Sequence, residues 1–423
     1  MPPPPLPAFN TAPARAAAAA LAAAALLLAA ARPAAACSSF VVDCGDGAVV
    51  SGRTLDFSTD LASDVNITLF PKAVTFTGLA ISEARATVGA TYGLDGPAVA
   101  WDGLNEAGLA VTYLWQSNIT FHQKYDPEGP PEAITVVDLP YVLLGRFSTV
   151  QEVREYLDPA QLQLTTDIVA EGVRSVLTSV FTSDPDIHAP DADGTLWVGL
   201  HLHVADATGD GLPVEGTANG SYALYDTIVA TNEPSFPDML SWASAYSSHN
   251  FSSVPGIANA PQAPWLTPNL VPFNSMVDGR QEGYLGSQSR FLRLTLQQTN
   301  CSTWQWANAS WSPAGAGADP QTLALKRAEN WLGSVMVPVS VLGQSGPELE
   351  AGYDLYATQI AFLKDQTGAR YMYRSAANNG WNSIDLAALA DSRDSGRWFP
   401  IGVDAPERPF AVDVSAGGGA VAQ

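Results

Sequence analysis

The segment CSSFVVDCGDGAVVSGRTLDF, residues 37–57, decides the fold that this sequence predicts. Two short apolar runs flank a Cys-Gly-Asp-Gly sequence at positions 44–47, and such glycine-rich sequences between strand-like runs mark turns. We therefore predict a β-hairpin centred near Gly45, in which Cys37 lies opposite Arg53. Side chains that face each other across strands have Cβ atoms about 5 Å apart, so Arg53 is expected beside the Cys37 thiol.

Cys37 and its expected neighbours carry the chemistry of a nucleophile. A nearby guanidinium lowers the pKa of a thiol, and the thiolate is the reactive form. A cysteine that is also the N-terminal residue carries its own general base, because an α-amine has a pKa of about 8. Asp56, just past the end of the partner strand, would orient that amine by a hydrogen bond. The hairpin alone leaves a second interpretation open, in which Cys37 is an ordinary apolar residue and Arg53 a solvated charge.

The first 36 residues are typical of an export signal. An uninterrupted apolar run covers residues 16–31 and is flanked by two arginines. This run is too short to cross a bilayer comfortably, and the small residues 34–36 fit cleavage by signal peptidase. Cleavage at that bond would make Cys37 the first residue of a secreted, periplasmic or luminal protein. A lipidated Cys37 is the alternative, although no leucine stands three residues before it.

The chain is strongly acidic. Its 423 residues include 20 lysines and arginines and 42 aspartates and glutamates, for a net charge of −22. Without the two arginines of the first 36 residues, 18 basic residues remain and the net charge is −24. This charge argues against nucleic acid as a partner. The lack of any apolar run of 18 residues argues against a membrane span, and a hydrophobic fraction of 47% excludes a disordered polyanion.

Few other residues suggest special chemistry. His201 and His203 stand two positions apart on a predicted strand, but no third ligand accompanies them, so neither a metal nor another cofactor is expected. Three cysteines are too few for a four-cysteine zinc site, and Cys44 and Cys301 could form a disulfide that leaves Cys37 free. Sequons together with an export signal favour glycosylation. The six sequon asparagines are Asn66, Asn118, Asn219, Asn250, Asn300 and Asn308.

Strand-like and helical patterns occur in separate clusters, which indicates the α+β class. Strands are predicted at 38–42, 48–51, 108–114, 196–205, 222–231, 360–364 and 370–373. Helices are predicted at 133–146, 150–157, 171–182, 286–298 and 320–335, and loops at 250–285 and 307–320. We expect a signal peptide at 1–36, one domain over 37–410 and a flexible tail at 411–423.

The hairpin segment resembles the start of the choloylglycine hydrolase family, which contains bile salt hydrolases and penicillin V acylases. That family opens with Cys and small residues, followed by a turn and an Arg-x-x-Asp segment at this spacing. Four later blocks are similar in the same order, and short matches follow in the C-terminal strands as far as about residue 390. The blocks are Asp-Gly-Leu-Asn-Glu-Ala-Gly-Leu at 102–109, Asp-Ala-Thr-Gly at 206–209 with Glu215 beyond, Thr-Asn-Glu-Pro-Ser-Phe at 231–236 and Ser-Gln-Ser-Arg-Phe at 287–291.

The resemblance implies an N-terminal-nucleophile hydrolase with a four-layer αββα sandwich. Cys37 would be the nucleophile, with its own amine as the base. Arg53 would support the thiolate, Asp56 would hold the amine, and Arg290 would complete the charged cluster. No metal and no cofactor are implied.

The resemblance also implies an oxyanion hole, in which Asn232 would donate to the developing negative charge. A group on the strand at 108–115 would be the second donor, and Trp115 occupies the matching position. One departure lies close to the site: Thr54 stands where the family usually has Asn after the arginine. Longer segments at 250–285 and 301–317 put the shape of the substrate pocket and the packing of subunits in doubt.

These patterns together predict a secreted cysteine amidase that hydrolyses a linear, non-peptide amide through an acyl-enzyme. Penicillin V, conjugated bile salts and other N-acyl amines suit the family as small-molecule substrates, and related proteins are often tetramers, so a homo-oligomer is expected. One alternative is an acid-ceramidase-like amidase of N-acyl lipids. The other is a catalytically inactive, secreted or lipidated binding protein with the same fold.

Overall fold

The computed structural model describes residues 37–57, 65–70, 75–76, 79–80, 87–92, 99–116, 125–130, 132–165, 199–217, 221–232, 234–247, 286–301, 319–337, 357–376, 380–387, 398–400 and 411–413. Its strands are β1 (Ser38–Asp43), β2 (Val49–Phe57), β3 (Val65–Phe70), β4 (Thr75–Phe76), β5 (Leu79–Ala80), β6 (Thr87–Tyr92), β7 (Val99–Asn105), β8 (Ala110–Trp115), β9 (Glu132–Thr135), β10 (Leu162–Thr165), β11 (Leu200–Ala205), β12 (Gly211–Gly216), β13 (Tyr222–Leu224), β14 (Val229–Thr231), β15 (Ala357–Asp365), β16 (Arg370–Ser375), β17 (Trp381–Asp385), β18 (Trp398–Pro400) and β19 (Ala411–Asp413). Its helices are α1 (Leu139–Arg146), α2 (Val150–Tyr156), α3 (Phe236–Ser247), α4 (Ser287–Cys301) and α5 (Pro320–Val335).

Within these residues the strands form two large sheets and two short pairs. The first sheet has the order β14-β1-β2-β15-β16-β17-β19, and the second has the order β13-β12-β11-β8-β7-β6-β3-β18. Neighbouring strands are antiparallel throughout both sheets, except that β17 and β19 are parallel. The strand that begins beside Cys37 is therefore an interior strand, with β14 on one side and β2 on the other.

The two large sheets face each other, and helices cover their outer faces. Helices α4 and α5 pack on β1 and β2, whereas α1 packs on β7 and β8. Successive side chains of β1 point to opposite faces of the sheet. Phe40 points to the helix layer, where its ring centroid lies 5.9 Å from that of Trp331 in α5. Ser39 points to the second sheet, where its hydroxyl lies 2.8 Å from Nδ1 of His203. The predicted α+β class and the αββα sandwich are confirmed.

A buried ion pair joins the sheets. Lys364 of β15 binds the carboxylate of Asp102 in β7, and both side chains are buried. The hydroxyl of Thr112 donates to the same oxygen, Oδ2, at 2.8 Å, and the hydroxyl of Tyr371 donates to the other oxygen, Oδ1, at 2.9 Å. A charge removed from water is tolerated only with such partners, so these four residues fix the separation and alignment of the sheets.

The hairpin at residues 37–57 forms, but its register differs from the prediction by two positions. Ser39, and not Cys37, pairs with Arg53. The loop is longer than expected because Gly45 and Gly47 both adopt positive φ values, 76° and 88°, so the hairpin is centred one residue later. A shift of two residues preserves the alternation of side chains, so Arg53 still lies on the same face of the sheet as Cys37.

Two other predicted elements differ from the structure. Residues 132–135 form β9, which pairs with β10, so the helix predicted at 133–146 begins only at Leu139. Pro140 lies in the first turn of this helix, where proline is tolerated because its missing N–H would have no partner within the helix. The strand predicted at 222–231 is two strands, β13 and β14, which belong to different sheets.

The other predictions lie partly within and partly outside the described residues. Residues 411–413, at the start of the tail predicted to be flexible, form β19 along β17. The predicted signal peptide, the helix at 171–182, the loop at 250–285 and four of the six sequons lie outside the described residues. In the part of the chain that is described, no helix is long and apolar enough to cross a membrane.

Candidate active site

Cys37 lies where three strands of the first sheet meet. Ser38 pairs with Thr54 on one side and with Thr231 on the other. Continued by one residue, these registers place Cys37 between Leu55 and Asn232. The Cys37 side chain is 1% exposed, and its thiol donates to the backbone oxygen of Asp56 at 3.8 Å. The thiol thus lies at the start of an interior strand, on the face that looks toward the second sheet.

Arg53 lies on the same face of the sheet as the thiol. It is fully buried, and its Nη2 donates to the backbone oxygen of Tyr113 in β8 at 2.6 Å. Its guanidinium lies over the ring of Phe362, 5.6 Å from the centroid. Nε and Nη1 have no hydrogen-bond partner among the described residues. Arg53 therefore bridges the two sheets and retains two buried donors on the face of the sheet that carries the Cys37 thiol.

The side chain of Asp56 lies on the opposite face of the sheet from the Cys37 thiol. Its carboxylate accepts hydrogen bonds from the hydroxyls of Thr54, at 3.1 Å, and Thr358. Thr54 also accepts the backbone N–H of Ser38 at 3.0 Å. Thr54 thus connects the carboxylate to the residue that follows Cys37.

Arg290, in the first turn of α4, completes this side of the cluster. Its Nη1 donates to the carbonyl oxygen of Cys37 at 2.8 Å and also to the hydroxyl of Ser38. The same nitrogen lies 3.7 Å from Oδ2 of Asp56, and both side chains are fully buried. Nη2 donates to the hydroxyl of Ser287 at 3.0 Å. One arginine therefore fixes the backbone of Cys37 and balances the charge of Asp56.

Burial and the two arginines act in opposite directions on the titrating groups. Burial raises the pKa of the Cys37 thiol; Arg53 and Arg290 counteract this rise, and the charge of Asp56 adds to it. Burial also raises the pKa of Asp56, to about 6, against the opposing effect of Arg290 and the hydrogen bonds from Thr358 and Thr54. Burial lowers the pKa of Arg290, which Asp56 partly offsets. The cluster is thus a buried site in which the pKa of each group depends on the charges of the others.

The other two predicted site residues lie at strand ends near Cys37. Asn232 directly follows β14, is 1% exposed and lies beside Cys37 in the continued register. Trp115 ends β8 and is buried, and by alternation its side chain shares a face with Tyr113, whose hydroxyl bonds Val136 next to α1. The indole thus points to the helix layer rather than to the sheet interface.

The backbone N–H of Trp115 points in a different direction from the side chain of this residue. The N–H of Gln116 donates to Gly199 beside β11 at 2.7 Å. Antiparallel strands alternate the direction of their backbone groups, so the N–H of Trp115 points to the opposite edge of β8. The carbonyl of Tyr113 points to that same edge and accepts from Arg53. The peptide group, and not the indole, is therefore the part of Trp115 directed toward the thiol cluster.

The two histidines and two further cysteines that the sequence singled out do not belong to this cluster. Burial lowers the pKa of both His201 and His203 to about 3, so both rings are neutral, and the described residues contain no group of three metal-binding side chains. Cys44 and Cys301 form a disulfide with a Cα–Cα distance of 5.3 Å, which ties the turn of the β1–β2 hairpin to the end of α4. Cys37 is the free cysteine.

Sequence reasoning did not assign a role to several residues of the cluster. Ser38, Thr54 and Thr358 carry hydroxyls that connect Asp56 and Arg290 to the backbone. A single hydroxyl in a strand gives no signal in a sequence, because serine and threonine are common in exposed strands as well.

A buried thiol at the start of an interior strand, inside an αββα sandwich, defines the N-terminal-nucleophile hydrolase class of fold. The sequence profile of the linear amide C–N hydrolases, choloylglycine hydrolase family, matches residues 37–305. The chain therefore belongs to the choloylglycine hydrolase family, whose members act on non-peptide C–N amide bonds.

Individual relatives are distant. Penicillin V acylase of Pectobacterium atrosepticum is 25% identical over 202 residues, which cover 45% of this chain and 47% of the acylase. The chain thus spans about half the length of that relative. An uncharacterized protein of Paramecium bursaria Chlorella virus 1 is 26% identical over 261 residues, which are 61% of this chain and 73% of the viral protein.

Solved structures support the fold. Penicillin V acylase from Agrobacterium tumefaciens superposes with a TM-score of 0.56 at 19% identity, over 85% of this chain and 90% of the acylase. A variant of the conjugated bile acid hydrolase from Clostridium perfringens superposes with a TM-score of 0.60 at 20% identity, over 88% of this chain and 99% of the hydrolase. At this level of identity the likeness concerns the fold.

Proposed function

We propose that this chain is an exported cysteine amidase that hydrolyses a linear amide through an acyl-enzyme on Cys37. The observation that carries the proposal is the position of Cys37, whose thiol has Arg53 on its own face of the sheet and whose carbonyl is bound by Arg290. Removal of residues 1–36 by signal peptidase would free the Cys37 amine. Penicillin V, conjugated bile salts and other N-acyl amines are the proposed substrate class.

In the proposed first half-reaction, the Cys37 amine accepts the thiol proton as the sulfur attacks the amide carbonyl. A carbon–sulfur bond forms, and the carbonyl electron pair moves to the oxygen, giving a tetrahedral oxyanion. The amide side chain of Asn232 and the N–H of Trp115 are the proposed donors to this oxygen. When the oxyanion collapses, the carbon–nitrogen bond breaks and the ammonium of Cys37 returns its proton to the leaving amine.

The second half-reaction reverses the roles of the same groups. Water gives a proton to the Cys37 amine and attacks the thioester carbonyl. The carbon–sulfur bond then breaks, the carboxylic acid leaves, and the proton returns to the thiolate. Asp56 is proposed to orient the amine, with its charge balanced by Arg290 at 3.7 Å. Arg53 is proposed to favour the thiolate, because a cation that is poorly solvated stabilises a nearby anion.

The first experiment compares chains that begin at Cys37 with chains that retain one additional residue, Ala36. We expect the first to release amine from a panel of N-acyl substrates and the second to be inactive, because an amide nitrogen cannot act as a base. Both chains keep the same thiol, so this pair isolates the amine. Intact mass confirms which residue is first, and amine release is followed with a fluorogenic label.

A Cys37→Ala variant of the shorter chain should lose turnover completely, with an unchanged circular dichroism spectrum. The matched control is Ser148→Ala, a partly exposed serine just before α2 that lies outside the cluster and leaves the sulfur in place. Turnover by the Cys37→Ala protein, or equal rates with and without Ala36, would refute the proposed mechanism. The N-terminal residue of protein recovered from an exporting host tests the proposed export and cleavage separately.

A further inference from the structure

Another buried carboxylate, that of Glu215, connects two segments that flank the cluster. Glu215, in β12, is 3% exposed, and its carboxylate accepts from the side-chain amide of Gln116. The backbone N–H of Phe236 donates to both oxygens, at 3.0 and 3.1 Å. The hydroxyl of Tyr225 also bonds this carboxylate. Glu215 is therefore a buried acid surrounded by neutral donors.

The two segments that Glu215 connects carry the proposed oxyanion donors. Gln116 directly follows Trp115 at the end of β8. Phe236 is the first residue of α3, four residues after Asn232. The side chain of Gln116 also approaches the carbonyl oxygen of Pro234 at 3.5 Å. These two segments come from different sheets, since β8 belongs to the second sheet and β14, which ends before Asn232, belongs to the first.

A carboxylate is suited to this position by its geometry and charge. It presents two oxygens and can accept from Gln116 and Phe236 at the same time, whereas an amide has one oxygen and a competing NH₂. The donor at Phe236 belongs to the N-terminus of α3, where the helix dipole favours a negative charge. Because the side chain is buried, loss of one bond leaves an unpaired polar group that would displace its neighbours.

We propose that Glu215 is a positioning residue that sets the spacing between the Trp115 N–H and the Asn232 side chain. This proposal rests on the function proposed above, in which those two groups form the oxyanion hole. Glu215 holds one donor through Gln116 and the other through Phe236. Its hydrogen bonds are to Gln116, Phe236 and Tyr225 and not to the thiol, so Glu215 should affect the stabilisation of the oxyanion and leave the nucleophile unchanged.

The test uses Glu215→Gln, which keeps the size of the side chain but removes the charge and one acceptor. We expect kcat for amide hydrolysis to fall by about 10- to 100-fold, because small displacements of oxyanion donors have effects of this size. Iodoacetamide alkylates a thiolate by direct displacement and needs no oxyanion hole, so the rate of Cys37 alkylation should stay within about twofold. KM should change less than kcat.

Two further variants make the result decisive. Glu128→Gln, an exposed glutamate far from the cluster, is the matched control and should leave both rates unchanged. Gln116→Leu breaks the link to β8 but keeps the bond between Glu215 and Phe236, so it should lower kcat without slowing alkylation even if Glu215→Gln folds poorly. Normal kcat in both site variants, or parallel losses of kcat and alkylation rate, would overturn the proposal.

The failure of the two proposals can be told apart. If wild type hydrolyses amides only with a free Cys37 amine, yet Glu215→Gln and Gln116→Leu match it, the positioning role is wrong and the amidase remains. If Cys37→Ala retains turnover, the amidase mechanism itself is wrong, and with it the basis for an oxyanion hole at these residues.

Discussion

Cys37 is held from both faces of its strand. Arg53 lies on the face of the sheet that carries the thiol, whereas Arg290 donates to the carbonyl oxygen of Cys37. The carboxylate of Asp56 balances the charge of Arg290. The burial that excludes water also makes the thiol harder to ionise, and the arginines offset this effect. The residue thus depends on charges that are themselves buried and hydrogen-bonded, so most single substitutions here should change reactivity and stability together.

The raised pKa of Asp56, about 6 against an ordinary value of 3.8, gives a test in stability. The folded protein binds this proton more tightly than the unfolded chain, so wild type should lose stability as pH rises from about 4 to 6. Relative to Asp56→Asn, that loss should amount to about 3 kcal/mol. Urea unfolding at pH values from 4 to 7 measures the difference.

The exposed Asp126→Asn variant is the control for removal of one carboxylate from the acidic chain. Parallel curves for wild type and Asp56→Asn across this pH range would contradict the prediction. A difference that grows in the opposite direction would show that ionised Asp56 is stabilised by Arg290 by more than burial opposes it.

The candidate site was predictable where a residue type itself implies chemistry. Cys37, Arg53, Asp56, Asn232 and Arg290 come from motifs, and the structure brings them to one end of β1 and its neighbours. The roles assigned to them remain predictions. The connections made by Ser38, Thr54 and Thr358 were not predictable, because the role of a hydroxyl depends on which groups lie beside it in the folded chain. Thr358, for example, binds Asp56 from a strand that is 302 positions away in the sequence.

At the scale of elements, the β1–β2 hairpin shows which features a sequence determines. Arg53 lies on the predicted face although the register was wrong by two, because a shift of two residues preserves the alternation of side chains, whereas a shift of one would have reversed it. The length of the loop depends on whether Gly47 joins Gly45 in a left-handed conformation, which the sequence permits but does not require. The predicted face of Arg53 was therefore correct, and its predicted partner was not.

The disulfide between Cys44 and Cys301 anchors this hairpin to α4, the helix that carries Arg290. It closes a separation of 257 residues. We expect Cys44→Ala with Cys301→Ala to lose about 2–4 kcal/mol in the free energy of unfolding, chiefly because the unfolded chain gains freedom. Urea denaturation with and without reductant measures the loss, and reductant should have no effect on the double variant.

Thiol counting provides the control for this prediction. Unfolded wild type should show one free thiol without reductant and three with it, and Cys37→Ala should show none without reductant. Three free thiols in unreduced wild type would contradict the disulfide.

At the scale of the whole molecule, the buried ion pair between Lys364 and Asp102 joins the two sheets, so its loss should destabilise the entire fold. Asp102→Ala leaves a buried ammonium without its partner and should cost about 3–5 kcal/mol. The double variant with Lys364→Met should lose less than the sum of the single losses, with a coupling of about 1–3 kcal/mol. Urea unfolding of the four proteins measures this cycle, and strict additivity would contradict it.

The fold as a whole was predictable to the level of class and layers. Helix α5 lies at the bounds predicted for it, since its apolar spacing and its Asp-Pro start are local signals. Strands such as β12 were missed, because its sequence GLPVEG contains proline and glycine and is stabilised by its neighbours rather than by propensity. Propensity is local, whereas sheet membership is decided by distant partners.

The sheet order has a consequence for synthesis of the chain on the ribosome. β1 is made first, but it lies against β14 and β2, and β2 in turn pairs with β15. A nascent chain that already contains Cys37 and Asp56 must grow by 234 residues after Asp56 before it includes Arg290, and by 302 before it includes Thr358. Such distant pairings are slow to form. Cys37 therefore remains without the residues that surround it in the folded protein until the segments that carry Arg290 and Thr358 have been synthesised.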